Sequence, residues 1–213
     1  MFIPYKDLNP SRTFPVFTIG LIAANVAAFV YQLHDPQGGL EYATVPANLW
    51  NVVRHHTLWP LVTLWTGTFL HGGFVHIFFN MLFLWVFGNN VEDQLGHFRF
   101  LGFYLLAALL ATLCQVVAAP RSHLPIIGAS GAISAVLGAY LYYFPRARVR
   151  TLFILVIIPL VFELPAALVL GLWFVGQILS SIYSTSSGAG VAWYAHIGGF
   201  LFGFCAALMG KKR

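Results

Sequence analysis

The sequence predicts an all-α membrane protein of six transmembrane helices with the N- and C-termini cytoplasmic, and three observations predict it. The 213 residues are 59% hydrophobic and 8% charged, with a mean hydropathy of +0.80, whereas an ordinary soluble domain carries about 25% charged residues. Six apolar stretches approach the roughly 20 residues a helix needs to cross about 30 Å of hydrocarbon: residues 14–31, 69–88, 98–117, 128–144, 164–181 and 193–209. The basic residues then orient them. Lys6 and Arg12 precede the first stretch, Arg99 follows the second, Arg146, Arg148 and Arg150 follow the fourth, and Lys211, Lys212 and Arg213 follow the sixth. Only Arg54 and Arg121 fall on the other side, so the positive-inside rule puts both ends in the cytoplasm. The net charge of +5 is therefore a topology signal rather than a nucleic-acid footprint. Spans take up nearly the whole chain, which reads as one membrane domain over residues 1–213.

The first span follows Lys6 and Arg12 as a signal peptide would. Its apolar run is longer than a usual signal core and no small-residue cleavage site follows, so it reads as a retained helix. Residues 32–68 form the longest segment outside the spans. This outer loop carries Trp50, Trp59, Trp65, His55 and His56 among apolar residues, a composition suited to the headgroup zone. The second span opens with His71, His76 and Asn80, and Glu92 and Asp93 follow it on the cytoplasmic side, where loop bonding or capping of the next helix is their expected work. The third span ends near Cys114. Cys205 lies at a different depth in the sixth, so the two cysteines read as packing residues rather than a disulfide.

The fourth span carries Ser130, Ser134 and Gly138 at four-residue spacing, and the sixth carries Ala195, Gly199 and Gly203. Small residues let helix backbones approach in lipid, where no hydrophobic drive brings helices together and close packing must do so. These two stripes predict a close helix pair. Residues 151–181 are too long for one span, since 31 helical residues would reach about 46 Å. Pro159 and Pro165 divide the run, with a strand-like or interfacial lead-in before Pro159 and the fifth span from Leu164 onward.

Two residues at matching outer depth carry the chemistry. Ser130, in Gly128-Ala129-Ser130-Gly131, sits at the outward N-terminus of a helix, where free N–H groups favour developing negative charge. A serine alone in a membrane helix usually bonds back to a carbonyl one turn earlier. His196, in Ala195-His196-Ile197-Gly198-Gly199, changes that expectation, because imidazole is the usual base for a serine nucleophile and an ionisable group within a span is costly. No carboxylate lies near either residue, which predicts a Ser-His dyad rather than a triad. His76 and Asn80 share a helix face four residues apart, and an imidazole and an amide donor aimed at one point would complete an oxyanion hole. A metal site at His71 and His76 is disfavoured, since the pair is five apart with no carboxylate or thiolate at that depth. No metal and no cofactor is expected.

Together Gly128-Ala129-Ser130-Gly131, Ala195-His196-Ile197-Gly198-Gly199-Phe200 with Gly203, and the run from His71 to Asn80 resemble the rhomboid intramembrane serine proteases, as does the turn from Gly88 to Gly96. The resemblance runs from about Phe14 to Met209. It implies a six-helix rhomboid fold, Ser130 as nucleophile, His196 as general base and then acid, and an oxyanion site of His76, Asn80 and the Ser130 N–H. It also implies cleavage of other membrane proteins in or near their transmembrane helices, and residence as a multi-pass protein in the plasma (inner) membrane of a prokaryote. Two features depart from the family pattern. The frequent Trp-Arg pair of the first outer loop is replaced by Trp59-Pro60 and Trp65-Thr66, and Ser134 stands where some members have a histidine-stacking tyrosine, leaving Trp193 and Tyr194 as candidates to orient His196. The alternatives are a rhomboid-like protein that binds or escorts membrane clients without chemistry, and a transporter, against which the apolar inner halves of the spans speak.

Overall fold

The computed structural model describes residues 2–50, 57–155, 158–183 and 191–210. Arg54, His55, His56, Lys211, Lys212 and Arg213 lie outside the described residues. The chain opens with strand β1 (Phe2–Asp7), then helix α1 (Val16–His34), the short α2 (Pro36–Leu40), a 3-10 turn at Pro46–Trp50, α3 (Trp59–Thr66) and a second 3-10 turn at Gly67–Phe69. Helices α4 (Phe74–Leu95), α5 (His97–Ala118) and α6 (Ser130–Tyr143) follow, then strands β2 (Arg148–Leu155) and β3 (Ile158–Pro165), and finally α7 (Ala166–Tyr183) and α8 (Trp193–Met209).

Helix α6 is the centre of the bundle. It packs against α4, α5 and α8, and eleven of its fourteen residues are buried. The α6–α8 contact is as close as the two small-residue stripes predict. A Cβ added at Gly199 would fall onto the Gly131 carbonyl oxygen, one at Gly203 onto that of Ala135, and one at Gly138 onto that of Phe200. The row seated on α8 is thus Gly131, Ala135 and Gly138, one residue over from Ser130 and Ser134. That offset leaves Ser130 on the flank of the contact.

Among the described residues four helices, α1, α4, α5 and α7, are long and apolar enough to cross a membrane. At 14 and 17 residues, α6 and α8 span only about 21 and 25 Å. Large apolar side chains stay exposed on the outer helices, among them Phe78 and Trp85 on α4, Phe98 and Val117 on α5, Leu172 on α7 and Leu201 on α8, while α6 exposes none. Such a surface is suited to lipid and would drive association in water. The protein is an integral membrane protein.

Three expectations need correction. The all-α fold class omits a three-stranded antiparallel sheet, β1-β2-β3, which pairs Phe2 with Phe153, Lys6 with Arg150, and Arg150 in turn with Glu163. The extended lead-in runs past Pro159 to Pro165, so the fifth span begins at Ala166 and not at Leu164. The two-residue difference lies at Pro165, which closes β3 and does not open the helix. The second span starts five residues later than expected and extends to Leu95, which moves His71 out of the helix and Glu92 and Asp93 into its last turn. Gly96 sets that end. With φ of 84° it terminates α4 and opens α5, a conformation that side chains with a Cβ rarely adopt.

Glu92, fully buried, ties this corner together. Its carboxylate accepts from the Phe17 and Thr18 N–H groups at 3.0 and 2.7 Å, from Thr18 Oγ1 at 2.7 Å and from His97 Nδ1 at 2.6 Å, and so fixes the first turn of α1 to the α4–α5 junction. Asp93 accepts from Thr13 Oγ1 and Arg12 Nε. Beneath the bundle, burial pushes the Asp7 carboxyl up from its ordinary range, against the hydrogen bonds it accepts from the Asn9 N–H and Asn90 Nδ2. Cys114 and Cys205 are free and exposed.

Candidate active site

The segment between α1 and α4 holds the approach to Ser130. Thr44 and Ile126 form a β-bridge, Thr44 Oγ1 donates to the Thr63 carbonyl at 2.6 Å, and the Gly128 N–H donates to the Gly67 carbonyl at 2.9 Å. Trp59 Nε1 donates to the Glu41 carbonyl and Trp65 Nε1 to that of Leu105. The chain then turns at Gly128, whose φ is 112°, and enters α6. The Ile133 N–H donates to the Ala129 carbonyl and closes the first turn, so the Ser130 N–H precedes the helical ladder and is unclaimed by it.

Ser130 Oγ lies 2.7 Å from His196 Nε2. The back-bonding that a membrane serine usually makes belongs instead to Ser134, whose Oγ donates to the Ser130 carbonyl at 2.6 Å. His196 Nδ1, on the other side of the ring, lies 2.6 Å from Gln177 Oε1 of α7. The ring is flanked by Trp173 of α7 at a centroid distance of 6.2 Å and by Trp193 at 5.9 Å, edge-on. Of the two candidates for orienting His196, Trp193 is the one beside the ring, whereas Tyr194 lines a separate surface pocket with Leu110, Cys114 and Ile197.

His76 and Asn80 come from α4 to the same place. A Cβ added at Gly128 would lie 2.8 Å from His76 Cε1 and Nε2 and 3.7 Å from Asn80 Nδ2, so both side chains rest against the turn that leads into Ser130. The Gly72 N–H donates to His76 Nδ1 at 3.2 Å, which makes Nε2 the protonated, donating nitrogen of the neutral ring. Asn80 Nδ2 is buried without a hydrogen-bond acceptor among the described residues. A buried donor left so costs about 1–3 kcal/mol. Ser130, His196, His76, Asn80 and Gln177 all line one cavity of about 430 Å³, walled also by Phe79 and Phe83 of α4 and by Trp173 and Trp193.

His71 stands behind this wall. It is buried at 3% exposure, its Nδ1 is 3.2 Å from the Phe69 carbonyl, and its ring lies 5.1 Å from that of His76. No third metal-ligating group joins the two histidines among the described residues. Glu92, Asp93 and Glu163 are all remote from the cavity, Glu163 pairing with Arg150 Nε at 2.9 Å on the sheet. Gln177 and Trp173 are the residues that sequence reasoning did not single out. The available signal was Gln177 itself, an amide inside the apolar run of α7, where polar groups are costly unless used.

Comparison with known proteins gives this arrangement a family context. The Rhomboid domain model matches residues 55–213. The chain is 37% identical over 203 residues to the rhomboid protease GluP of Bacillus subtilis, covering 91% of this chain and 34% of that protein. It is 32% identical over 146 residues to rhomboid protein 1, mitochondrial, of Saccharomyces cerevisiae, covering 64% and 38% respectively. Over 197 residues it is 30% identical to the presenilin-associated rhomboid-like protein, mitochondrial, of Bos taurus, covering 86% and 46%. The chain therefore spans less than half the length of each of these relatives.

Proposed function

This chain belongs to the rhomboid family, and from that premise we propose that it is an intramembrane serine endopeptidase with Ser130 as nucleophile and His196 as general base. The observation that carries the reading is the 2.7 Å hydrogen bond from Ser130 Oγ to His196 Nε2, in a cavity that also presents the donors of His76 and Asn80. Ser130 Oγ attacks the scissile carbonyl as its proton passes to His196 Nε2. The carbonyl oxygen, now an oxyanion, accepts from the Ser130 N–H, His76 Nε2 and Asn80 Nδ2. Donors fixed in advance in a dry site stabilise that charge without reorganising. Collapse of the tetrahedral intermediate breaks the C–N bond, and His196 returns its proton to the departing amine. Water then enters, His196 takes a proton from it, and the acyl-enzyme is hydrolysed.

The substrates are transmembrane segments of other membrane proteins. A helical peptide bond is shielded by its own hydrogen bonds, so the segment must unwind before its carbonyl reaches Ser130. The chain is read as one domain of six spans with both termini cytoplasmic, α6 being a short span at the centre and α8 a second short span packed on it. The likeness to the Bacillus subtilis protein supports residence in a prokaryotic plasma membrane, while two of the relatives are named as mitochondrial.

The test needs no known substrate. Purified protein in detergent is treated with a fluorescent fluorophosphonate beside Ser130→Ala and His196→Ala, with cleavage of a generic transmembrane substrate followed in parallel. Wild type should label and cleave, and both variants should lose both signals. Folded wild type that neither labels nor cleaves would turn the reading to a client-binding protein without chemistry.

A further inference from the structure

The dyad has a third member that supplies no charge. We propose that Gln177 is a positioning residue that holds His196 in its basic tautomer, its side-chain oxygen accepting the proton on Nδ1 so that Nε2 keeps a free lone pair for Ser130. This inference rests on the reading of Ser130 and His196 as nucleophile and base.

A neutral imidazole carries one proton on either of two nitrogens, and the partner of one nitrogen decides the state of the other. Only the form protonated at Nδ1 can take a proton from Ser130 Oγ at Nε2. The other form would donate to Oγ and could not act as base. Gln177 Oε1 stands 2.6 Å from Nδ1 while Ser130 Oγ stands 2.7 Å from Nε2, so the two contacts together select the basic form. Reversing the amide would set an NH2 donor against Nδ1 and enforce the inert form. The same helix face steadies the ring: Trp173, one turn before Gln177, lies 6.2 Å from it.

An amide suits this depth better than a carboxylate. In a soluble serine hydrolase an aspartate commonly fills the role, yet an ionised carboxylate inside a bundle of apolar helices is costly to desolvate. A carbonyl oxygen of an amide accepts the same proton at no charge. It gives orientation but little stabilisation of the imidazolium, which leaves the oxyanion donors with the larger share of the work. Gln177 also sits on a different helix from both members of the dyad. The tautomer of the base therefore depends on where α7 lies, and displacement of α7 by little more than 1 Å would take the acceptor beyond hydrogen-bond reach.

The experiment is to read the tautomer directly. Protein carrying 15N-labelled histidine is purified in detergent and studied at a pH where the ring is neutral, with the His196 signals identified by their loss in His196→Ala. Wild type should have a protonated Nδ1 and an unprotonated Nε2. Gln177→Met, close in shape but without an acceptor, should shift those signals toward the other tautomer. Its kcat on a generic transmembrane substrate should drop about 10- to 100-fold with little change in KM, as loss of orientation alone would give. Gln177→Glu, which restores an acceptor oxygen, should recover most of that loss. A wild-type spectrum with Nε2 protonated overturns the inference, and so does a Gln177→Met that loses turnover while its His196 signals stay put. The wild-type spectrum requires no variant to fold. It also requires no catalysis, so absence of cleavage by wild type would count against the protease reading and leave the tautomer to be decided on its own.

Discussion

Gly128 concentrates the site's constraints in one residue. Its φ of 112° disfavours any side chain, and a methyl group there would stand 2.8 Å from two atoms of the His76 ring. Gly128→Ala should therefore displace His76 as well as strain the turn before Ser130, lowering kcat by about 10²-fold or more, the scale of losing one oxyanion donor. His76→Ala and Asn80→Ala should each lower kcat by about 10²–10³-fold with little effect on KM, measured on a generic transmembrane substrate. Equal rates in both variants would mean that these donors are not used in the transition state. At this scale the sequence was legible because polar residues in lipid are few and costly: Ser130, His196, His76 and Asn80 stood out among apolar neighbours. Gln177 met the same criterion. Nothing in its neighbourhood along the chain, however, ties it to a histidine nineteen residues away.

Between elements, the closest joint is α6 on α8, where backbone meets backbone. Gly203→Val would push branched carbon into the Ala135 carbonyl, and overpacking of this kind costs about 1–3 kcal/mol or more. A lower melting temperature in detergent and loss of activity should come together, since the same joint brings Ser130 to His196. Glu92→Gln should separate them. It replaces one acceptor oxygen with a donor facing the Phe17 and Thr18 N–H groups, and breaking a buried charged network costs about 3–5 kcal/mol. Thermal stability should fall while fluorophosphonate labelling below the melting temperature continues at the wild-type rate, Glu92 being remote from the cavity. The small-residue stripes made the α6–α8 joint readable in advance. An extended lead-in before Pro159 was readable but the sheet it joins was not, because the partner strand β1 lies at the far end of the sequence.

For the whole molecule, the distribution of burial predicts the distribution of motion. Helix α6 buries eleven of fourteen residues, whereas α7 buries four of eighteen, and elements with few buried contacts open at lower free energy. Backbone amides of α7 should exchange with solvent deuterium well before those of α6 in detergent. Uniform exchange across both would contradict this. Reporter fusions at the two ends should both report the cytoplasm, as the basic residues require. The sequence by itself determined the membrane character and which polar residues stand out among apolar neighbours, because each follows from the cost of moving a side chain between water and lipid, a property of the residue and its near neighbours. Only the tertiary structure decided which acceptor meets His196, which strands pair, and which face of α6 seats on α8. Those outcomes depend on hydrogen bonds and close contacts between segments far apart in the chain, where a displacement of about 1 Å separates a bond from none.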